Sequence, residues 1–448
     1  MNRNKMGTMP MGKLVLDMSL PMMLSLLIQS LYNIVDSIFV AKLSEQALTA
    51  ASLAYPVQML MIAVGVGTAV GLNAVLSKAL GAKQHKEASA IAVTGILLAA
   101  GSGIVFMTAG LFFAGSISSA FTSNTEIAQL CSQYLWICMV FSFGNMVCMT
   151  YQRLMQATGK TILSMVILIA GAVTNLILDP IMIFGMFGCP AMGIKGAAYA
   201  TVIGQWVSMF TGIFLQAKYN TDLTVSFKGY TFSFDCVKRI YKVGFPTIIT
   251  QAMQSMMVTC FNAILQPFST TAVAFFGVYF KLQTFLFMPM NGLGQASIPI
   301  IGFNFGAHNK ERITQCVKIV YPAAIIIAAA GTLLFFSIPS VLLGLFSASE
   351  AMLSVGIHGM RILALTFPFA AVTMISGYIA SGLQDGVTNM ICAFIRQFVP
   401  LIPVAWVLAK LWGIDAVWFA FIISEICGVL FSVCRIRTLL KTRTALID

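Results

Sequence analysis

Apolar residues run along this chain in about twelve blocks, each long enough to cross a bilayer as a helix, separated by short polar gaps. The pattern predicts spans at 14–40, 53–77, 89–113, 128–152, 161–186, 194–217, 240–265, 273–300, 315–339, 352–380, 388–409 and 414–436. No soluble domain is expected between them. The longest gap, 218–239, is polar and basic and lies near the middle of the chain. The two sides of this gap look alike. An offset of 225 residues brings Pro21 onto Pro246, Gln29-Ser30 onto Gln254-Ser255, Ser44 and Ala47 onto Ser269 and Ala272, Gln58 onto Gln283, and Gly81-Ala82 onto Gly306-Ala307. Later, an offset of 227 pairs Gly159 and Thr161 with Gly386 and Thr388. An offset of 220 pairs MGIKGAA (192–198) with WGIDAVW (412–418). The expected fold is an all-α membrane protein with twelve transmembrane helices in two pseudo-symmetric six-helix bundles. Its parts are one lobe at 1–217, a cytoplasmic linker at 218–239 and a second lobe at 240–448. Six is even, so both halves enter the membrane from the same side, as a parallel repeat. Two such bundles facing a central cavity make a transporter.

Some spans carry polar residues in phase. In the first, Ser25, Gln29, Tyr32, Asn33 and Asp36 follow helical spacing and form one stripe. A charge within a span costs about 2.5–3.5 kcal/mol on insertion scales, so something must offset it. Acids are scarce, and only Asp36, Asp179 and Glu425 lie well within spans. Asn175 and Asp179 share a face of the fifth span at i and i+4. Pro180 follows, freeing a carbonyl one turn back and marking a hinge candidate. Thr201 in the sixth span adds a hydroxyl. At about 1.5 Å per residue, Asp36, Asp179 and Thr201 all lie roughly 6–11 Å from the outer surface. Oxygen ligands of this kind suit a hard cation, and the carboxyls also suit a proton. An isolated Asn or Thr serves as glue between helices, but glue does not need a charged pair.

The second half differs. Asp36 maps onto Phe261, and the seventh span keeps a polar stripe (Thr247, Gln251, Gln254, Ser255, Thr259, Asn262) without an acid. Cation coupling is therefore expected in the first half. Gln29, Tyr32, Asn33, Gln251, Gln254, Ser255, Met256, Tyr279, Lys281, Gln283 and Met288 are the candidates for a substrate cavity. Met253, Met257 and Met290 join them, because methionine repacks around differently shaped apolar ligands. Glu425 is expected to form a structural ion pair with Lys281, Arg361 or Arg396.

Composition narrows the picture. Residues are 59% hydrophobic and 9% charged, against about 25% charged in soluble domains. Lys and Arg gather in alternate gaps, among them Arg3, Lys5, Lys13, Lys78, Lys83, Lys86, Arg153, Lys160, Lys218, Lys238, Arg239, Lys310, Arg312 and Arg435. The opposite gaps hold Lys42, Lys195 and Lys410. The positive-inside rule then puts both termini in the cytoplasm and the chain in the cytoplasmic (inner) membrane. The net charge of +12 follows from this bias and does not mark a nucleic-acid binder. The ten cysteines are scattered without a CxxC pair and read as small packers. The basic N-terminus leads into a helix too long for a signal-peptide core. No GxxxxGK[ST] occurs, so energy must come from an ion gradient. GVGTAVG (65–71) sits inside a span, where close helix packing explains it. His85, His308 and His358 fall at loops or a helix end, far apart in sequence, so no enzyme and no cofactor is expected.

The chain resembles the multidrug and toxic compound extrusion (MATE) family. The resemblance rests on SLPMML followed by Asp36, PVQML opening the second span, GAKQ and GAHN after the second and eighth, QATGKT, NLILDPIMIFG, MGIKGAA and IRQFVPLIP. It implies a twelve-helix drug/cation antiporter of two lobes. It also implies an N-lobe cation site at Asp36, Asn175, Asp179 and Thr201, and a first helix that bends at Pro21. Some relatives carry a further acid in helix 7 or 10, which this chain lacks. The expected function is Na⁺- or H⁺-coupled export of small organic, often cationic or amphipathic compounds, by a monomer in the lipid bilayer. The alternatives are a lipid-linked oligosaccharide flippase, kept open by Lys281, Arg361 and Arg396, and, less favoured, an intramembrane enzyme or a channel.

Overall fold

The computed structural model describes residues 4–346 and 349–445; Arg3 and Asp448 lie outside them. Its long helices are α1 (Met11–Ala41), α2 (Glu45–Gly81), α3 (His85–Phe121), α4 (Thr125–Val140 and Phe143–Ala157), α5 (Thr161–Phe184) and α6 (Ile194–Tyr219). The second half adds α7 (Phe234–Leu265), α8 (Thr270–Gly306), α9 (Lys310–Ser337), α10 (Glu350–Ala364 and Phe367–Gly382), α11 (Gly386–Gln397 and Leu401–Trp412) and α12 (Ile414–Val417 and Phe419–Ala445). Ten spans are long and apolar enough to cross a membrane, and the bent pairs α4 and α10 bring the number to twelve. Large apolar side chains such as Phe112, Ile326 and Leu430 stay exposed, as lipid contact requires. This is a multi-pass membrane protein.

Three spans are less regular than their hydropathy suggests. α4 bends by 48° at 141–142 and α10 by 49° at 365–366, one pseudo-equivalent position in each half. α11 breaks at 398–400, where Phe398 leaves helical geometry at φ −128° and Pro400 has no N–H to continue the ladder. Pro21 and Pro180 break neither α1 nor α5. His358, expected at a helix end, lies inside the first segment of α10.

The repeat is visible in the caps. Ser44 Oγ accepts from Ala47 N at 3.0 Å, and Ser269 Oγ accepts from Ala272 N at 3.2 Å, so the matched Ser and Ala pairs are N-caps of α2 and α8. α2, α4, α8 and α10 all end in a Schellman turn: Gln84 N donates to Ala79 O, Lys160 N to Met155 O, Asn309 N to Asn304 O and Asp385 N to Ala380 O. The left-handed residue is Lys83, Gly159, His308 or Gln384. This corrects one sequence match. The counterpart of Gly159 is Gln384, not Gly386, so the offset is still 225 at the start of α11 and the Gly-x-Thr identity at 227 is a coincidence. α6 and α12 both start from a glycine with positive φ, Gly193 and Gly413, which fixes their offset at 220.

The chain divides into two compact units. One comprises Met1–Asn4 and Leu24–Ile248; the other comprises Lys5–Met23 and Ile249–Asp448. The divisions fall two residues after Pro21 and two after Pro246, at positions related by the 225 offset. The connection 218–239 belongs to the first unit. Lys160 Nζ donates to Tyr219 O at 2.6 Å, Tyr230 and Thr94 hydroxyls meet at 2.9 Å, and Arg239 pairs with Glu87 at 2.5 Å. Within the same unit, α2 packs against the first half of α7 with almost no separation. A Cβ on Gly67 would meet Gly244 O at 2.7 Å, and one on Gly71 would meet Gly244 N at 2.9 Å. GVGTAVG is thus a helix-packing seam. In the second unit, Arg312 donates to the Met6 and Met9 carbonyls at 2.9 and 2.8 Å, which fixes the N-terminal segment.

Candidate functional site

The first unit's polar cluster depends on a glycine contact. A Cβ on Gly171 of α5 would meet Gly204 O of α6 at 2.7 Å, and one on Gly204 would meet Gly171 O at 2.7 Å. The two backbones therefore touch, and one turn along α5 the side chain of Asn175 reaches across. Asn175 Nδ2 donates to Asp179 Oδ1 at 3.2 Å and to Thr201 Oγ1 at 3.4 Å. Asp179 is 0% exposed and Asn175 3%. The Asp36 carboxyl, from α1, lies within hydrogen-bonding reach of Asp179. All four predicted cation-site residues are thus brought together.

Three oxygens of this cluster are buried without a hydrogen-bond partner: Asp36 Oδ1, Asn175 Oδ1 and Asp179 Oδ2. Among the described residues, no Lys or Arg acts on either carboxyl. Two acids packed together without a cation leave a large electrostatic debt. The donor set is all oxygen, from two carboxyls, an amide and a hydroxyl, which fits Na⁺ or a proton shared between the carboxyls.

Beside the cluster is a cavity of about 440 Å³, within the range of small-molecule sites. Gln29, Tyr32, Asn33 and Asp36 line it from α1, and Thr201 from α6. Sequence reasoning missed Tyr55, Gln58, Tyr134, Asn145 and Gln205, which line it too. Gln205 had a signal, since it lies one turn beyond Thr201 on the same face. Tyr134 and Asn145 flank the bend of α4 and had none. Gln58 Nε2 donates to Tyr134 hydroxyl at 3.3 Å. Among the described residues, Asp36 is the sole carboxylate on the wall, and no basic side chain lines it.

The other candidates belong to the second unit. Gln251, Gln254, Ser255 and Met256 of α7 and Lys281 of α8 are exposed, and Gln283 and Met288 are half-buried. Tyr279 is a correction: it is fully buried in an aromatic core with Phe275, Phe276 and Phe367, and its hydroxyl accepts from Gln283 Nε2 at 2.8 Å. Helical phase turns it away from Lys281. Met253, Met257 and Met290 are likewise core side chains. The repeat counterparts of Asp36 and Thr201 are Phe261 and Phe421, whose rings pack edge to face at 4.8 Å. Aromatic contact occupies the place that oxygen ligands take in the first unit.

The MatE family pattern matches residues 21–181 and again 246–407, once in each half. The chain belongs to the MatE family. The two matches begin at Pro21 and Pro246, so the family pattern follows the internal repeat. Among MatE relatives, Multidrug export protein MepA of Staphylococcus aureus (strain bovine RF122 / ET3-1) is 25% identical over 434 residues, covering 96% of this chain and 93% of that protein. MepA of Staphylococcus haemolyticus (strain JCSC1435) is 27% identical over 432 residues, covering 93% and 92%. These relatives are named as exporters, not enzymes. The fold matches that of a MOP superfamily transporter from Pyrococcus furiosus Vc1 (DSM3638), with TM-score 0.90, 23% identity and 98% and 99% coverage. It also matches a MATE structure in the straight conformation, with TM-score 0.90, 24% identity and coverage of 98% and 99%.

Proposed function

We propose that this MatE protein is a cation-coupled antiporter that exports organic, often cationic or amphipathic, compounds across the cytoplasmic membrane. The observation that carries the reading is the buried Asp36–Asp179 pair, with one unpartnered oxygen on each carboxyl and no basic neighbour among the described residues. Such a pair requires an external positive charge, and the oxygen set suits Na⁺ or H⁺. The adjoining cavity, with tyrosines, amides and one acid on its wall, suits an organic cation. The name of the MepA relatives supports multidrug export. The cation favours one conformation of the carrier and the drug the other, and that difference couples their flows. The protein works as a monomer with both termini in the cytoplasm.

The flippase reading keeps one of its three basic residues. Of the three basic groups it would use, Arg396 is paired with Glu425 and Arg361 sits over the Phe336 ring and donates to its carbonyl, which leaves the exposed Lys281.

The deciding experiment is efflux of a cationic dye from vesicles, with Na⁺ and H⁺ gradients imposed separately, on wild type and Asp36→Asn. One gradient is expected to drive wild type and neither to drive the variant. Dye export by Asp36→Asn at the wild-type rate would refute the reading. Asn175→Ala removes from the donor set an amide oxygen that is buried without a hydrogen-bond partner, a polar contact to a charged group being worth about 1.5–3 kcal/mol. It is expected to raise the ion concentration for half-maximal efflux at least about tenfold, read from efflux against ion concentration. Pro21→Ala is expected to slow turnover while ion binding persists, if α1 bends there. Unchanged turnover in a single-cycle assay would remove the hinge.

A further inference from the structure

The second unit carries its own buried acid, and that acid is treated differently. Glu425 of α12 is 6% exposed. Arg396 Nε of α11 donates to Glu425 Oε1 at 3.0 Å, while Oε2 has no hydrogen-bond partner. Ser424 Oγ donates to the Arg396 carbonyl, in the last turn before α11 breaks. Side chain and backbone of Arg396 are therefore both held by α12.

Glu425 also stands at a telling position. With the offset of 220 that the glycine caps fix, it is the counterpart of Gln205, which lines the first unit's cavity. One turn earlier, Phe421 stands for Thr201 and packs on Phe261, which stands for Asp36. The second unit thus keeps an acid near the repeated site, with a guanidinium already attached to it. A guanidinium keeps its charge in proteins. The first unit's buried pair, Asp36 and Asp179, has no basic partner among the described residues and must take its positive charge from outside. Stability does not demand the arrangement, because a buried ion pair is often matched or bettered by apolar side chains of similar volume.

We infer that Arg396 is a tethered counter-cation that closes the second unit's Glu425 to exchangeable ions, so that each cycle carries the ion load of the first unit alone. Without the guanidinium, Glu425 becomes a second site for H⁺ or a monovalent cation. The inference rests on the antiport reading, and its test separates the two.

The measurement is the number of ions moved per dye molecule, found in proteoliposomes from the gradient and voltage at which dye flux reverses. Wild type, Arg396→Gln and the neutral double variant Arg396→Leu/Glu425→Gln are compared. The expected results are one additional ion per dye in Arg396→Gln, and the wild-type ratio in the double variant. An unchanged ratio in Arg396→Gln overturns the inference. So does a lowered ratio in the double variant, which would mean that Glu425 already exchanges an ion. If Arg396→Gln does not fold, the double variant alone decides. If neither ion gradient drives wild type, the antiport reading falls instead.

Discussion

Asp179→Asn is expected to leave a folded protein whose gradient-driven efflux is about 5- to 150-fold lower, the range spanned by coupling free energies of about 1–3 kcal/mol. The side chain it alters is 0% exposed, and its Oδ1 accepts from Asn175. Asparagine has nearly the same shape, so packing is kept. Its amide can donate to the Asp36 carboxyl, which otherwise has an unpartnered oxygen. The variant therefore resembles a permanently loaded site: one negative charge is gone and the remaining one gains a donor. The difference in ion affinity between conformations, which drives transport, is lost with it. Asp36→Asn should act in the same direction. The double variant should be no worse than either single one, because both acids serve one ion and their effects are not independent. Dye efflux at matched expression, with thermal unfolding as the folding control, measures this. Wild-type efflux by Asp179→Asn would take the acid pair out of the coupling scheme.

The second large effect concerns folding. Gly71→Leu is expected to lower the yield and melting temperature of the protein sharply, with Gly71→Ala showing a smaller loss. The first added carbon already meets the Ile240 carbonyl and lies 2.9 Å from Gly244 N. These are backbone atoms, so no side-chain rotation relieves the clash and α2 and α7 must move apart. Overpacking in a well-ordered interior costs typically about 1–3 kcal/mol, and a backbone obstacle puts this site at the upper end. A melting temperature equal to wild type, measured in detergent, would show that the seam is looser than its geometry implies.

The acids were legible in the sequence because a carboxyl inside an apolar run has few explanations. Asn175 and Thr201 could be joined to them through i, i+4 spacing and shared depth. The glycine contact between Gly171 and Gly204, which lets Asn175 reach Thr201, could not be seen, because a glycine names no partner. Tyr279 was misread through its neighbours Lys281 and Gln283. Two residues along a helix is about half a turn, so Lys281 faces away, while Gln283, one turn on, bonds to the buried Tyr279 hydroxyl. Tyr134 and Gln58 were obscured for another reason: neutral polar residues are common in spans, and their meaning depends on which helices adjoin. The false Gly159–Gly386 match shows the limit of residue identity as a guide to register. Backbone hydrogen bonds and left-handed residues gave the true register, and one of those residues is a glutamine.

The division of α1 and α7 has a consequence for how the molecule is made. Residues 5–23 emerge from the ribosome early, yet their unit is completed by Ile249 onward. The first unit, conversely, is unfinished after six helices, because the start of α7 fills the seam with α2. Order of synthesis and order of completion therefore differ. A chain cut within 218–239 would yield two fragments, each missing a piece carried by the other, and they would become whole only by exchanging those pieces.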